Sequence, residues 1–115
     1  MSLISEREIE EIRNINEKKK VKLPDGTFVP ALGQGTWYLG ENASNMECEI
    51  RTLRLEIEFG MTFIDTAEMY GDGKAERLVG KAISEIRDKI FLVLKVYPHN
   101  AGAKNIFTKA YQKTH

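Results

Sequence analysis

The chain should fold as an α/β unit around a parallel sheet. Short apolar runs alternate with amphipathic segments in the order helix, hairpin, then β-α-β-α-β-α, with no low-complexity stretch or domain linker between them. The run from Ile90 to Leu94 is apolar without alternation, the pattern of a strand covered on both faces. Ala75, Leu78, Val79, Ala82, Ile83 and Ile86 recur at i, i+3, i+4, i+7, i+8 and i+11, which lines one face of a helix.

Residues 3–20 read as an exposed N-terminal helix. Ser5 and Glu8 make a capping box, acids come early and Lys18-Lys19-Lys20 late as the helix dipole favours, and Ile9, Ile12 and Ile15 form a stripe too narrow for tight packing. The basic run through Lys22 suits a helix end better than a nucleic-acid patch. Pro24-Asp25-Gly26 then turns a hairpin over Val21 to Val29 through a preset φ, a turn-forming side chain and a residue free to take φ > 0. Ala31 to Trp37 reads as a short strand in which Gly33 and Gly35 let a backbone or ligand come close. Ser44 to Glu47 is a second capping box, opening a helix on Met46, Ile50, Leu53 and Ile57 that Gly60 ends. Thr62 to Thr66 is the next strand, and the helix beyond it has Asp72 or Gly73 near its cap. A loop from Val96 to Ala103 leads into a last helical stretch, Lys104 to Lys113.

At 115 residues and 42% hydrophobic content the chain is one domain with enough apolar mass for a core. Its 17 basic and 17 acidic residues cancel, which removes the long-range field of a protein that tracks nucleic acid or an anionic membrane, so neither partner is implied. The single Cys48 cannot close an internal disulfide, and no arginine-rich leader, apolar signal region or long apolar span is present, so a cytoplasmic setting is expected. His99, His115 and Cys48 lack ligand spacing, and no metal site is expected; His99 reads as a loop hydrogen-bonding group.

The chemistry concentrates where strands stop. Parallel strands joined by helical crossovers place their carboxyl ends on one side, so Trp37, Asp65 and Lys95 should share a rim. A lysine closing a buried strand loses hydration and seeks an anion, and Asp65 on the neighbouring strand would lie about one strand spacing, ~4.8 Å, away. Positive charge beside a phenol favours phenolate, which makes Tyr70 a candidate general acid, Lys95 its tuner and Asp65 the residue that orients Lys95. Each of these residues alone is more often structural, and the trio is what raises the functional reading. Gly71, Gly73 and Gly80 match neither common phosphate-loop pattern, so turn and packing roles are preferred over a small nucleotide-binding domain. Trp37 serves equally as a flat wall for a substrate or as core.

Gly60 to Gly80, G-M-T-F-I-D-T-A-E-M-Y-G-D-G-K-A-E-R-L-V-G, resembles the signature segment of the aldo-keto reductases, and K-V-Y-P-H-N-A from Lys95 to Ala101 resembles the stretch after their third strand. The likeness runs from about Val21 to Lys109. It implies an NADPH-dependent oxidoreductase that reduces the carbonyl of a small aldehyde or ketone on a (β/α)8 TIM-type barrel whose bottom an N-terminal hairpin plugs. The family's catalytic Asp, Tyr and Lys fall on Asp65, Tyr70 and Lys95. Its cofactor-flanking segment falls on Gly35, Thr36 and Trp37, with Asp65 beside them, and Glu76 takes a structural role.

The resemblance also implies a partial barrel: a helical extension at 1–20, then a truncated reductase domain at 21–115 with the hairpin and about three βα units. An eight-stranded barrel takes about 250 residues. The family's fourth catalytic residue, a His after the fourth strand, has no counterpart, and His99 sits in a different loop. Leu94 stands where many relatives carry Ser or Thr, Glu56 where close relatives often have Gly, and Ala110 to His115 fits the expected helix poorly, as an interrupted reading frame would. The isolated chain is therefore expected to be inactive. Its open sheet edge leaves three outcomes open, self-association, aggregation or pairing with a separately encoded, complementing C-terminal fragment, and a non-catalytic interaction module is the alternative reading.

Overall fold

A computed structural model describes residues 4–101. It contains helix α1 (Glu6–Lys18), strands β1 (Lys20–Lys22), β2 (Phe28–Pro30) and β3 (Gln34–Gly35), helix α2 (Met46–Glu58), strand β4 (Phe63–Asp65), helix α3 (Lys74–Ile83) and strand β5 (Phe91–Val93). The helix expected from Lys104 to Lys113 lies outside the described residues. No helix among them is long and apolar enough to cross a membrane.

β1 and β2 pair antiparallel with Val21 opposite Val29, closed by Gly26 at φ +93° and by the Thr27 amide donating to Asp25 Oδ1 at 2.9 Å. The second sheet is parallel, in the order β3-β4-β5, with Gly35 beside Asp65 and Asp65 beside Val93. Each strand is shorter than its apolar run, but ladder bonds reach past the ends: the Thr66 amide donates to Val93 O and the Glu68 amide to Lys95 O, both at 2.9 Å. The described strands form an open sheet rather than a closed barrel.

α2 and α3 cover one face of this sheet. Leu53 from α2, Leu78, Val79, Ala82 and Ile83 from α3, and Ile64 and Ile90 beside them make the core. Burying such side chains contributes about 1.5–3 kcal/mol each. The periodicity of α3 located five of its six apolar positions; the helix stops at Ile83, so Ile86 falls in the following turn and is only half-buried. β5 is not covered on both faces as its composition predicts: Phe91, Leu92 and Val93 are all half-buried. The face away from the helices carries the Phe63–Phe91 stack, at 5.5 Å between ring centroids.

Of the two capping boxes that the sequence predicts, one forms and one does not. The Ser5–Glu8 capping box forms, with Ser5 Oγ accepting from the Glu8 amide at 3.2 Å. The Ser44–Glu47 box does not. Asn42 Oδ1 accepts from both the Ser44 amide (3.0 Å) and the Ser44 hydroxyl (2.7 Å), which opens a 3₁₀ turn at Ala43–Asn45 and leaves α2 to begin at Met46 without a side-chain cap. The competing Asn side chain wins because it engages the serine one turn earlier.

α1 also turns a different face inward. Ile12 and Ile15 are exposed, whereas Ile9, Arg13 and Asn16, spaced i, i+4 and i+7, are half-buried. The reason is the C-terminus of α2, whose last carbonyls need donors. Arg13 Nε donates to Glu58 O and Asn16 Nδ2 to Phe59 O, each at 2.7 Å. Gly60, at φ +95°, ends α2 as its sequence position predicts.

Candidate active site

The carboxyl ends of β3, β4 and β5 meet at one rim, and the side chains that the sequence singled out emerge there. Lys95 follows β5 by two residues. Its ammonium donates to Asp65 Oδ1 at 2.7 Å and to Thr66 O at 3.0 Å, so the two strand ends are tied by a charged bond and a neutral one. Lys95 Nζ also lies over the Tyr70 ring, 5.3 Å from its centroid. Burial works against the ammonium, but the hydrogen bond and charge of Asp65, followed by the phenol of Tyr70, outweigh it and raise the Lys95 pKa above the ordinary lysine value.

The depth of the pair differs from the expectation of a buried strand end. The Lys95 and Asp65 side chains are 45% and 39% exposed, because the rim opens onto solvent among the described residues. Water therefore reaches the pair, and its strength is that of a partly screened bridge.

Tyr70 is brought to the rim by a sharp loop. Gly71, Asp72 and Gly73 all have positive φ (60°, 52° and 90°), and this left-handed run redirects the chain from the rim into α3. Gly73 is the residue before the helix, as expected.

On the β3 side Thr36 is buried, and its hydroxyl donates to Asp65 O at 2.9 Å, so its role is to join the strand ends. Trp37 is 65% exposed and stacks on Tyr70 at 5.8 Å and 4° between planes; it is a rim wall and not core. A Cβ at Gly33 would meet Phe63 O at 2.7 Å, the close approach expected there. At Gly35 a Cβ would meet nothing within 4 Å, so the position where a side chain would stand is open space.

His99 stacks on Tyr97 at 5.2 Å. Among the described residues no group of three His, Cys, Asp or Glu side chains could hold a metal ion, and Cys48 is exposed. Glu76 is 1% exposed on α3, within the helix that braces the rim.

Three residues at the rim were not foreseen. Tyr38 takes φ +73° and stacks on Trp37 at 5.3 Å, extending the aromatic column Tyr70–Trp37–Tyr38. Glu68 is 3% exposed and accepts from the Tyr97 amide and from Asn100 Nδ2, both at 2.7 Å. The available signal was an acid placed between Asp65 and Tyr70, in a segment where an unsatisfied carboxylate could not be buried. Asn100 gave no comparable signal.

A cavity of about 630 Å³ lies at the other end of the sheet, between Arg13, Arg54, Ile57, Glu58 and Lys89. Its arginines already serve helix ends: Arg54 donates to the carbonyls of Ala82 and Lys81 at 3.1 and 3.2 Å. A second cavity of about 460 Å³ runs between the hairpin and the sheet from Val21, Leu23 and Val29 to Gly35 and Asp65, and so opens toward the rim residues.

Comparison with known proteins gives the family. Residues 31–113 match the model of the aldo/keto reductase family, and the chain belongs to that family. It is 52% identical over 88 residues to methylglyoxal reductase YeaE of Escherichia coli, a match covering 76% of this chain and 31% of the relative. Identity to aldo-keto reductase YhdN of Bacillus subtilis is 41% over 75 residues, covering 61% and 23%. Among solved structures, an aldo-keto reductase from Klebsiella pneumoniae in complex with NADPH superposes with a TM-score of 0.75 at 44% identity, over 84% of this chain and 35% of the other. The chain thus spans about a quarter to a third of the length of these relatives.

Proposed function

We propose that this chain carries the proton-donor part of an NADPH-dependent reductase of aldehydes or ketones, with Tyr70 as general acid, Lys95 as its tuner and Asp65 as the anchor of Lys95. The observation that carries the reading is the 2.7 Å Lys95–Asp65 bridge lying over the Tyr70 ring at the ends of adjacent parallel strands. Family membership supports the reaction class, and the NADPH-bound neighbour supports the cofactor. Residues 21–115 are assigned to the reductase domain and residues 1–20 to an N-terminal extension, whose helix α1 docks on the end of α2 through Arg13 and Asn16.

The residues present suit the nicotinamide end of such a cofactor. Gly35 has open space where a side chain would stand, and Trp37 offers an exposed ring beside it, with Thr36 and Asp65 completing that wall. The bound cofactor would supply hydride to the carbonyl carbon. The chain supplies the proton: the Tyr70 hydroxyl donates to the carbonyl oxygen, and the Lys95 ammonium, held in place by Asp65 and Thr66 O, stabilises the phenolate left behind. Methylglyoxal, a compact dicarbonyl named for the 52% identical relative, is the first substrate to test.

The partner follows from surface. β5 has half-buried apolar side chains, and Val21, Phe28, Leu32 and Trp37 are exposed, so the sheet has apolar area for a complementing C-terminal fragment or a second copy. The decisive assay mixes the purified chain with the segment of E. coli YeaE beyond the match and follows NADPH oxidation with methylglyoxal. The chain alone should turn over negligibly, the mixture measurably, and Tyr70→Phe should abolish the gain. Turnover by the chain alone that survives Tyr70→Phe would reject the assignment. A defined oligomer that neither binds NADPH nor gains activity from the added segment would instead support a non-catalytic interaction module.

A further inference from the structure

We propose that Glu68 is a positioning residue: its buried carboxylate latches the loop that carries Tyr70 to the loop that follows Lys95, and so sets where the phenol stands against the ammonium. The inference rests on the roles given to Tyr70 and Lys95 above. Three bonds converge on this one residue. Its amide donates to Lys95 O at 2.9 Å, Oε2 accepts from the Tyr97 amide at 2.7 Å, and Oε1 accepts from Asn100 Nδ2 at 2.7 Å. Tyr70 lies two residues beyond Glu68, and Lys95 two residues before Tyr97, so the latch sits between the two reacting side chains along both loops.

The chemistry explains why a carboxylate stands here. Glu68 and Asn100 are 3% and 5% exposed, and burying an anion is costly unless its oxygens are satisfied. Both of these bonds to the side chain come from N–H donors, and a carboxylate offers an acceptor oxygen to each. The gripped turn is itself ordered: the Asn100 amide donates to Tyr97 O at 2.9 Å, and His99 stacks on Tyr97. The apolar core of Leu53, Leu78 and Ile83 lies under the helices, away from the rim. An apolar contact would have been enough to pack two loops, whereas two short directional bonds hold them at one separation.

The test is proton NMR of the full 115-residue chain. Lys95 lies over the Tyr70 ring, so ring current should move its ε-methylene resonances upfield. Glu68→Met keeps a similar volume but removes both acceptor oxygens, and most of that upfield displacement should vanish while the core methyl resonances stay in place. The swap Glu68→Gln with Asn100→Asp restores both bonds, the Gln amide donating to the new carboxylate and its carbonyl accepting from the Tyr97 amide, and should restore the displacement. Asn100→Ala removes one donor and should give a partial loss, so the reading does not depend on Glu68→Met folding. An unchanged displacement in Glu68→Met with only a lower Tm would make Glu68 a structural residue and overturn the proposal, as would failure of the swap to rescue. None of these readouts needs turnover, so failure of the Tyr70 role would appear in the NADPH assay and failure of the latch would appear here.

Discussion

Replacing Asp65 with Asn separates the charge of the rim from its shape. The substitution keeps an oxygen beside Lys95 Nζ but removes the anion, and Thr66 O at 3.0 Å still accepts from the ammonium. With the two side chains 45% and 39% exposed, water screens the bridge, so folding stability should fall by about 1 kcal/mol or less at neutral pH. The pH dependence has a definite sign. The folded-state pKa of Lys95 is raised above 10.5, so its contribution is fully present below the unfolded value and is lost as pH climbs through the folded one. The stability gap between the native chain and Asp65→Asn should therefore be constant near neutrality and close in the alkaline range. Urea denaturation read by the fluorescence of the single Trp37, repeated across pH, measures the gap; a ¹³C titration of the Lys95 side chain should show its pKa falling in the variant. A loss larger than about 3 kcal/mol would mean the bridge behaves as a buried pair, contradicting the open rim. A Lys95 titration that does not move would mean the bridge is not populated.

Two glycines with the same backbone sign should respond differently to alanine. Gly26 and Gly40 have φ of +93° and +80°, but a Cβ at Gly26 meets nothing within 4 Å, whereas one at Gly40 lands 2.6 Å from Lys74 O. Gly26→Ala should cost about 1–2 kcal/mol for conformation alone, and Gly40→Ala about 1–3 kcal/mol more for displaced backbone; equal midpoints in urea would refute the contact between the Trp37 loop and the start of α3. Removing the α1 anchors with Arg13→Ala and Asn16→Ala should each cost about 1 kcal/mol and speed hydrogen exchange in α1 while leaving α3 protected. Uniform exchange across both helices would show that α1 is not docked as a separate layer.

Local signals located most of the secondary structure. The Ser5–Glu8 box, the Pro24-Asp25-Gly26 turn, the Gly60 stop and the α3 stripe are short-range patterns whose physics is complete within a few residues, and each appears where the sequence placed it. Where two local signals competed, sequence alone did not rank them: Asn42 took the Ser44 hydroxyl that the expected capping box needed. The inward face of α1 was illegible for a different reason. Apolar spacing favoured Ile12 and Ile15, but the docking surface offered carbonyls, and only the position of α2 revealed that donors were wanted.

The rim follows the same division. Asp65, Tyr70 and Lys95 could be picked out because a charge at the end of an apolar run is conspicuous in one dimension, and strand parallelism then brings such ends together. Their exposure, the offset stack of Tyr38, Trp37 and Tyr70, and the grip of Glu68 on Tyr97 and Asn100 depend on how separate loops cross. Composition and periodicity determined most of the elements, their order and the choice of Asp65, Tyr70 and Lys95 as rim side chains, since those depend on neighbours along the chain. The spacing between those side chains was decided only in tertiary structure, where bonds spanning some thirty residues, such as Lys95 to Asp65, hold the loops in place.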